Sequence, residues 1–142
     1  MLYFAYGSNL DPAQMKRRCP EMSPVGIAAL FGWRLAFGGY SRTRGGAVAT
    51  IKKAKDRFVD GFLYVITKDD LASLDRAEGH PHYYKRRFVN VVVESGDTVK
   101  ACTYVLDIDK EGAPTREYYN ILKKSYQRLG FDVYLLAEVA NV

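Results

Sequence analysis

An α+β fold is what this sequence predicts, on three observations. Runs of strand length with apolar or alternating character recur at residues 2–5, 24–37, 47–51, 58–66, 88–93 and 99–106. Segments with helix start and stop signals fall after the first, fourth and last of these runs. Helices and strands do not alternate strictly, which argues against a parallel sheet built from βαβ units. With 142 residues the chain reads as one domain, 1–142, large enough to bury a core without disulfides.

The first run begins at Leu2 and breaks at Tyr6-Gly7-Ser8-Asn9. A buried strand emptying into a polar turn either simply reverses the chain or presents N–H groups and small polar side chains to a ligand. Asp11 then caps a short helix, with Pro12 at its first position and Gln14 placed to close a capping box, and Cys19-Pro20 ends it. In the strand at 24–37 the core candidates are Ile27, Leu30, Trp33, Leu35 and Phe37. Gly38-Gly39 and Gly45-Gly46 flank a basic loop carrying Arg42 and Arg44, between this strand and the next two. Thr67 caps a second helix with Asp69 and Asp70 in its acidic first turn, Leu71, Leu74 and Ala77 on its core face and Gly79 at its end. The last two strands form a hairpin around Ser95-Gly96-Asp97. Pro114 opens a third helix with Tyr118, Ile121, Leu122, Ser125 and Leu129 on one face, and Gly130 stops it. The apolar stretch 131–139 reads as a further short helix.

Net charge is +5, in clusters at Lys16–Arg18, Lys52-Lys53, Lys85–Arg87 and Lys123-Lys124. Such clusters read first as solvated faces, and more sharply as a general attraction for anionic ligands or, weakly, nucleic acid. Cys19 and Cys102 lack metal-ligand spacing and suggest reduced thiols. The strand-like run from residue 2 leaves no room for a signal peptide, and no apolar stretch approaches the roughly 20 residues of a membrane helix. A soluble, cytoplasmic protein without membrane partners is the expectation.

Glu78 stands out chemically. It lies in the last turn of the second helix, beside the negative end of the dipole, where a cation is the ordinary choice. The dipole and any burial push a carboxyl there upward, toward what a general base near neutral pH needs. A merely solvated helix-end carboxylate is the plainer alternative. His80 and His82 flank Pro81 without zinc-type spacing. Ser8, a histidine and Asp75 do not make a recognisable triad, since Tyr-Gly-Ser-Asn is not a nucleophile elbow. The paired glycines match no phosphate or dinucleotide fingerprint.

Taken together, Leu2–Leu10, Gly45-Gly-Ala-Val-Ala-Thr-Ile51 and Leu74-Asp-Arg-Ala-Glu-Gly79 resemble the gamma-glutamylcyclotransferase family in order and spacing, with Tyr84 and Tyr118 fitting the same pattern. The resemblance implies a small mixed β-barrel, about six strands here, flanked by helices with a cavity at the barrel's end. It implies Glu78 as catalytic acid/base and Tyr3, Phe4, Ala5, Tyr6, Gly7, Ser8 and Asn9 as the substrate-cradling segment, with Tyr84 and Tyr118 lining the cavity. The implied reaction converts a gamma-glutamyl amide into 5-oxoproline and a free amine, with no metal or organic cofactor. Asn9 favours the gamma-glutamyl amino acid branch over the amine branch, whose turn more often reads Tyr-Gly-Thr-Leu. The His80-Pro81-His82 loop departs from the animal enzymes and is expected to border the pocket. Other readings are a non-catalytic module for an acidic metabolite and, last, an RNA-associated protein. Oligomeric state is open, a homodimer included.

Overall fold

The structure is a computed structural model describing residues 1–142. Its elements in chain order are β1 (Leu2–Ala5), a 3₁₀ turn (Ser8–Leu10), α1 (Pro12–Arg18), β2 (Ser23–Ser41), β3 (Gly46–Val65), α2 (Lys68–Glu78), β4 (Lys85–Val93), β5 (Thr98–Val105), α3 (Arg116–Leu129) and α4 (Val133–Ala140). The strands close into a barrel in the order β1-β3-β2-β4-β5. β1 runs antiparallel to β3, with Leu2 opposite Val65, and closes the barrel by pairing parallel to β5 at Tyr3 and Cys102. The sheet is therefore mixed. The pairings that complete the ring are short, two residue pairs between β2 and β4 and one between β1 and β5.

Five strands replace the six expected, because residues 47–51 and 58–66 belong to one strand. The intervening Lys-Lys-Ala-Lys-Asp-Arg reads as a loop by polarity, yet Lys52 and Lys53 stay paired with Arg34 and Trp33. Backbone pairing continues there while the side chains are solvated. Beyond Lys53, residues 54–57 lie opposite Gly32 alone, a bulge at which Gly32 (φ 84°) and Asp56 (φ 61°) take left-handed backbone. The bulge divides the β2–β3 hairpin into two paired stretches, both of which contribute to the core. The basic loop after Gly38-Gly39 is a tight hairpin end, closed by the Gly45 N–H donating to Ser41 O at 2.7 Å.

The helices follow their local signals. Asp11 accepts from the Ala13 N–H and caps α1. Thr67 and Asp70 exchange side-chain and backbone hydrogen bonds, a complete capping box that opens α2. Gly79 (φ 69°) ends α2 in the left-handed conformation, with its N–H and that of His80 returned to the final turn. Thr115 caps α3, one residue after the proline expected to open it. Phe4, Phe37, Ile51, Leu63, Leu74, Val91, Leu122 and Leu136 are fully buried and join barrel and helices in one core. Gln14 corrects one expectation: its side chain closes no box but crosses to the turn after β1. No helix is long and apolar enough to cross a membrane.

Candidate active site

Where β1 leaves the barrel, the 3₁₀ turn at Ser8–Leu10 meets the end of α2, and the two enclose a cleft. It is lined by Tyr3, Tyr6, Gly7, Ser8, Asn9 and Glu78, together with Ala49, Tyr84, Thr103, Tyr104 and Tyr118. The cleft itself is narrow, about 30 Å³. Ser8, Glu78, Tyr84 and Tyr118 also line a larger pocket of about 420 Å³ that opens outward between the β2–β3 hairpin end and α2.

Asn9 organises the turn. Buried at 3% exposure, its Nδ2 donates to Tyr3 Oη at 2.9 Å and to Glu78 Oε1 at 3.4 Å. Its Oδ1 accepts from Gln14 Nε2 at 2.9 Å and Arg18 Nη1 at 3.0 Å. Gln14 Nε2 also donates to Ser8 Oγ at 2.8 Å, and Arg44 Nη2 donates to Gln14 Oε1 at 2.7 Å. Through these bonds α1 fixes the turn from behind. The Gly7 N–H donates to no protein group, and the first N–H groups of the 3₁₀ turn have no acceptor within it.

Glu78 is the last residue of α2, and its side chain is only 15% exposed. Besides Asn9, Arg18 Nη1 approaches Oε1 at 3.4 Å, while Oε2 accepts no hydrogen bond from the protein. Both contacts to Oε1 are long for charge-assisted bonds, so the carboxylate is held loosely. Burial raises its pKa above the ordinary carboxyl value, opposed in turn by Arg18, Arg44 and the Asn9 hydrogen bond. Desolvation is thus the main cause of the upward shift.

Two tyrosines clamp the backbone of Ala49 in β3 from both sides of its Cα. Tyr84 Oη donates to Ala49 O at 2.6 Å, and the Ala49 N–H donates to Tyr118 Oη at 3.1 Å. The loop after α2 delivers Tyr84, since its N–H bonds back to Glu78 O at 3.1 Å. Tyr84 spends its proton on Ala49, whereas the protons of Tyr118 and Tyr3 have no protein acceptor. Burial pushes Tyr118 up to about 12 and Tyr3 well above the ordinary value, so both hydroxyls stay protonated at neutral pH. Tyr118→Phe strands the buried Ala49 N–H, and thermal or denaturant unfolding should show a loss of about 1–3 kcal/mol. Unchanged stability would mean that water or a backbone shift satisfies that group.

Of the segment Tyr3 to Asn9, the cleft wall includes Tyr3, Tyr6, Gly7, Ser8 and Asn9 but not Phe4 or Ala5. Phe4 and Ala5 are buried at 0% and 1%; the Phe4 ring packs in the core against Gly61, and the Ala5 carbonyl lies beside it. His80 and His82 line neither pocket; Gly79 and Tyr83 border the outer one instead. His80 Nδ1 accepts from the Arg86 N–H at 3.1 Å. Asp75 binds Arg86 at 3.0 Å and Tyr104 Oη at 2.6 Å, and Ser8 Oγ takes Gln14, so these three groups form no relay. Arg18, Arg44, Gln14, Thr103 and Tyr104 join the site without any signal in local sequence. α1 brings Gln14 and Arg18, the β2–β3 hairpin end brings Arg44, and β5 brings Thr103 and Tyr104.

Comparisons with known proteins agree with this geometry. The family described as gamma-glutamyl cyclotransferase, AIG2-like, matches residues 3–128. A human gamma-glutamylcyclotransferase is 31% identical over 126 residues, covering 85% of this chain and 67% of that protein. The bovine gamma-glutamylcyclotransferase is 30% identical over the same length and coverage. A solved structure titled gamma-glutamyl cyclotransferase superposes with a TM-score of 0.89 at 26% identity, over 100% of this chain and 87% of that one. A shared barrel and a profile spanning the turn, Glu78 and both tyrosines place the chain in the AIG2-like gamma-glutamyl cyclotransferase family.

Proposed function

We propose that this protein cyclises gamma-glutamyl amides to 5-oxoproline and a free amine, with Glu78 as the acid/base. The observation that carries the reading is the Glu78 carboxylate: largely buried, shifted upward and with Oε2 unengaged beside a turn of free N–H donors. The glutamyl unit enters through the outer pocket and reacts at its junction with the cleft, where Ser8, Glu78, Tyr84 and Tyr118 meet. Its α-carboxylate is taken by the N–H groups of the turn at Gly7 and Ser8.

In the reaction Glu78 Oε2 removes a proton from the α-ammonium. The freed amine attacks the γ-carbonyl of the same molecule, forming the ring C–N bond. Because nucleophile and electrophile are already joined, holding the folded conformer supplies much of the acceleration. The oxygen charge that develops is met by hydroxyl protons of Tyr3 and Tyr118 and by backbone N–H groups of the turn. Attack leaves the ring nitrogen with two protons. Glu78 gives its first proton to the departing nitrogen, takes the second from the ring nitrogen and passes it on as the original amide bond breaks. The lactam thus keeps one N–H, the amine leaves as an ammonium and Glu78 ends ionised. No covalent enzyme intermediate is needed.

Incubation with a panel of gamma-glutamyl amides, read by mass spectrometry for 5-oxoproline, tests the reading directly. Binding without product would favour a non-catalytic pocket. Ser8→Ala is expected to lower kcat/KM about tenfold or less, since it removes only an acceptor for Gln14 and a binding hydroxyl. An acyl-serine trapped in the wild-type protein would instead establish a serine nucleophile.

A further inference from the structure

The outer pocket carries an imbalance of charge that the cyclisation itself does not use. Arg18, Arg42, Arg44 and Arg76 line it, and Glu78 is the only carboxylate on its wall. Arg18 is engaged with Asn9 and Glu78, and Arg44 gives one donor to Gln14 while stacking 5.3 Å from the Tyr118 ring centroid. Arg42 and Arg76 are exposed and make neither a salt bridge nor a side-chain hydrogen bond, although each presents five N–H donors. They sit on different elements, the β2–β3 hairpin end and α2, facing the same space of about 420 Å³. With the glutamyl unit reacting at the junction of cleft and outer pocket, its amine half lies outward among these guanidinium groups.

We propose that the outer pocket is an anion subsite for the leaving portion, and that it selects gamma-glutamyl amides whose amine half carries carboxylates. Acidic amino acids and acidic peptides fit; a lysine side chain or a polyamine meets like charge. The inference rests on the cyclotransferase reading for the orientation of the substrate. Guanidinium groups suit carboxylates because they bind them in pairs of parallel hydrogen bonds. The pocket is open to solvent, so this attraction is screened by salt.

The test compares gamma-glutamyl-glutamate, gamma-glutamyl-alanine and gamma-glutamyl-alaninamide, whose leaving halves carry two, one and no carboxylates. Specificity constants for 5-oxoproline release are expected to fall in that order, by about tenfold from first to last, chiefly through KM. Added salt should narrow the ratio, as should the double variant Arg42→Gln/Arg76→Gln. Equal constants for the three substrates, or a ratio the double variant does not change, overturns the anion subsite and leaves the cyclotransferase reading standing. Calorimetric binding of the same compounds separates the remaining cases. No product from any of them, with binding that still ranks by carboxylate count and weakens in the double variant, overturns cyclisation and supports the anion site. No product and no such ranking overturns both.

Discussion

Glu78→Gln should abolish 5-oxoproline release, by about a thousandfold or more, while making the folded protein more resistant to heat at neutral pH. The first half follows from its proposed role: an amide cannot accept the α-ammonium proton or return it. The second half follows from linkage. Burial raises the Glu78 pKa in the folded chain above its ordinary value of 4.5. Between the unfolded and folded values the native state holds a proton that the unfolded state lacks. Stability therefore falls as pH rises through that window, and the full penalty is present above it. Gln is never ionised and escapes the penalty. The gain in Tm should appear at pH 7 and vanish below the ordinary carboxyl value. The acid limb of wild-type kcat/KM should likewise lie above 4.5, because catalysis needs the ionised form. Activity retained in the variant would remove Glu78 from the mechanism; an unaltered Tm at pH 7 would show that Arg18 and Asn9 fully offset its burial.

The second large effect is structural. Gly61→Ala should destabilise the protein by about 3 kcal/mol, lowering Tm by about 10 °C. Replacing glycine by alanine in a strand ordinarily stabilises, since it restricts the unfolded chain. Here an added Cβ would lie 2.5 Å from the Phe4 ring and closer still to Ala5 O, where β1 crosses β3. Neither neighbour can yield cheaply, one being fully buried and the other backbone. Displacing them also moves the start of the Tyr6–Asn9 turn, so activity should fall with stability. Gly112→Ala is the control: its Cβ would meet only Ala47, at 3.8 Å, and the change should stay within about 0.5 kcal/mol.

What the sequence discloses, and what it hides, divides along physical lines. Helix ends are local, so Asp11, Thr67, Gly79 and Gly130 mark them correctly from their own neighbourhood. Strand extent is not local. The charged residues 52–57 resemble a loop in composition, yet Lys52 and Lys53 stay paired with β2, whose backbone supplies the hydrogen bonds whatever the side chains are, and 54–57 form a bulge inside β3. The oddity of Glu78 is visible as a carboxylate at a helix C-terminus, yet burial, which the sequence does not show, leads its pKa shift. Arg18 and Arg44 carry no motif at all. They lie 60 and 34 residues from Glu78 in the chain and reach the site only because α1 and the hairpin end fold onto α2.

β1 precedes both of its partners in the chain, pairing with β3 and β5 at residues about 60 and 100 positions later. During translation the turn that bears Gly7, Ser8 and Asn9 has no barrel to emerge from until residue 102 has left the ribosome. Closure is thus a late, long-range event of the kind that sets folding rates. The pairing that completes the barrel beside the turn therefore forms only with β5.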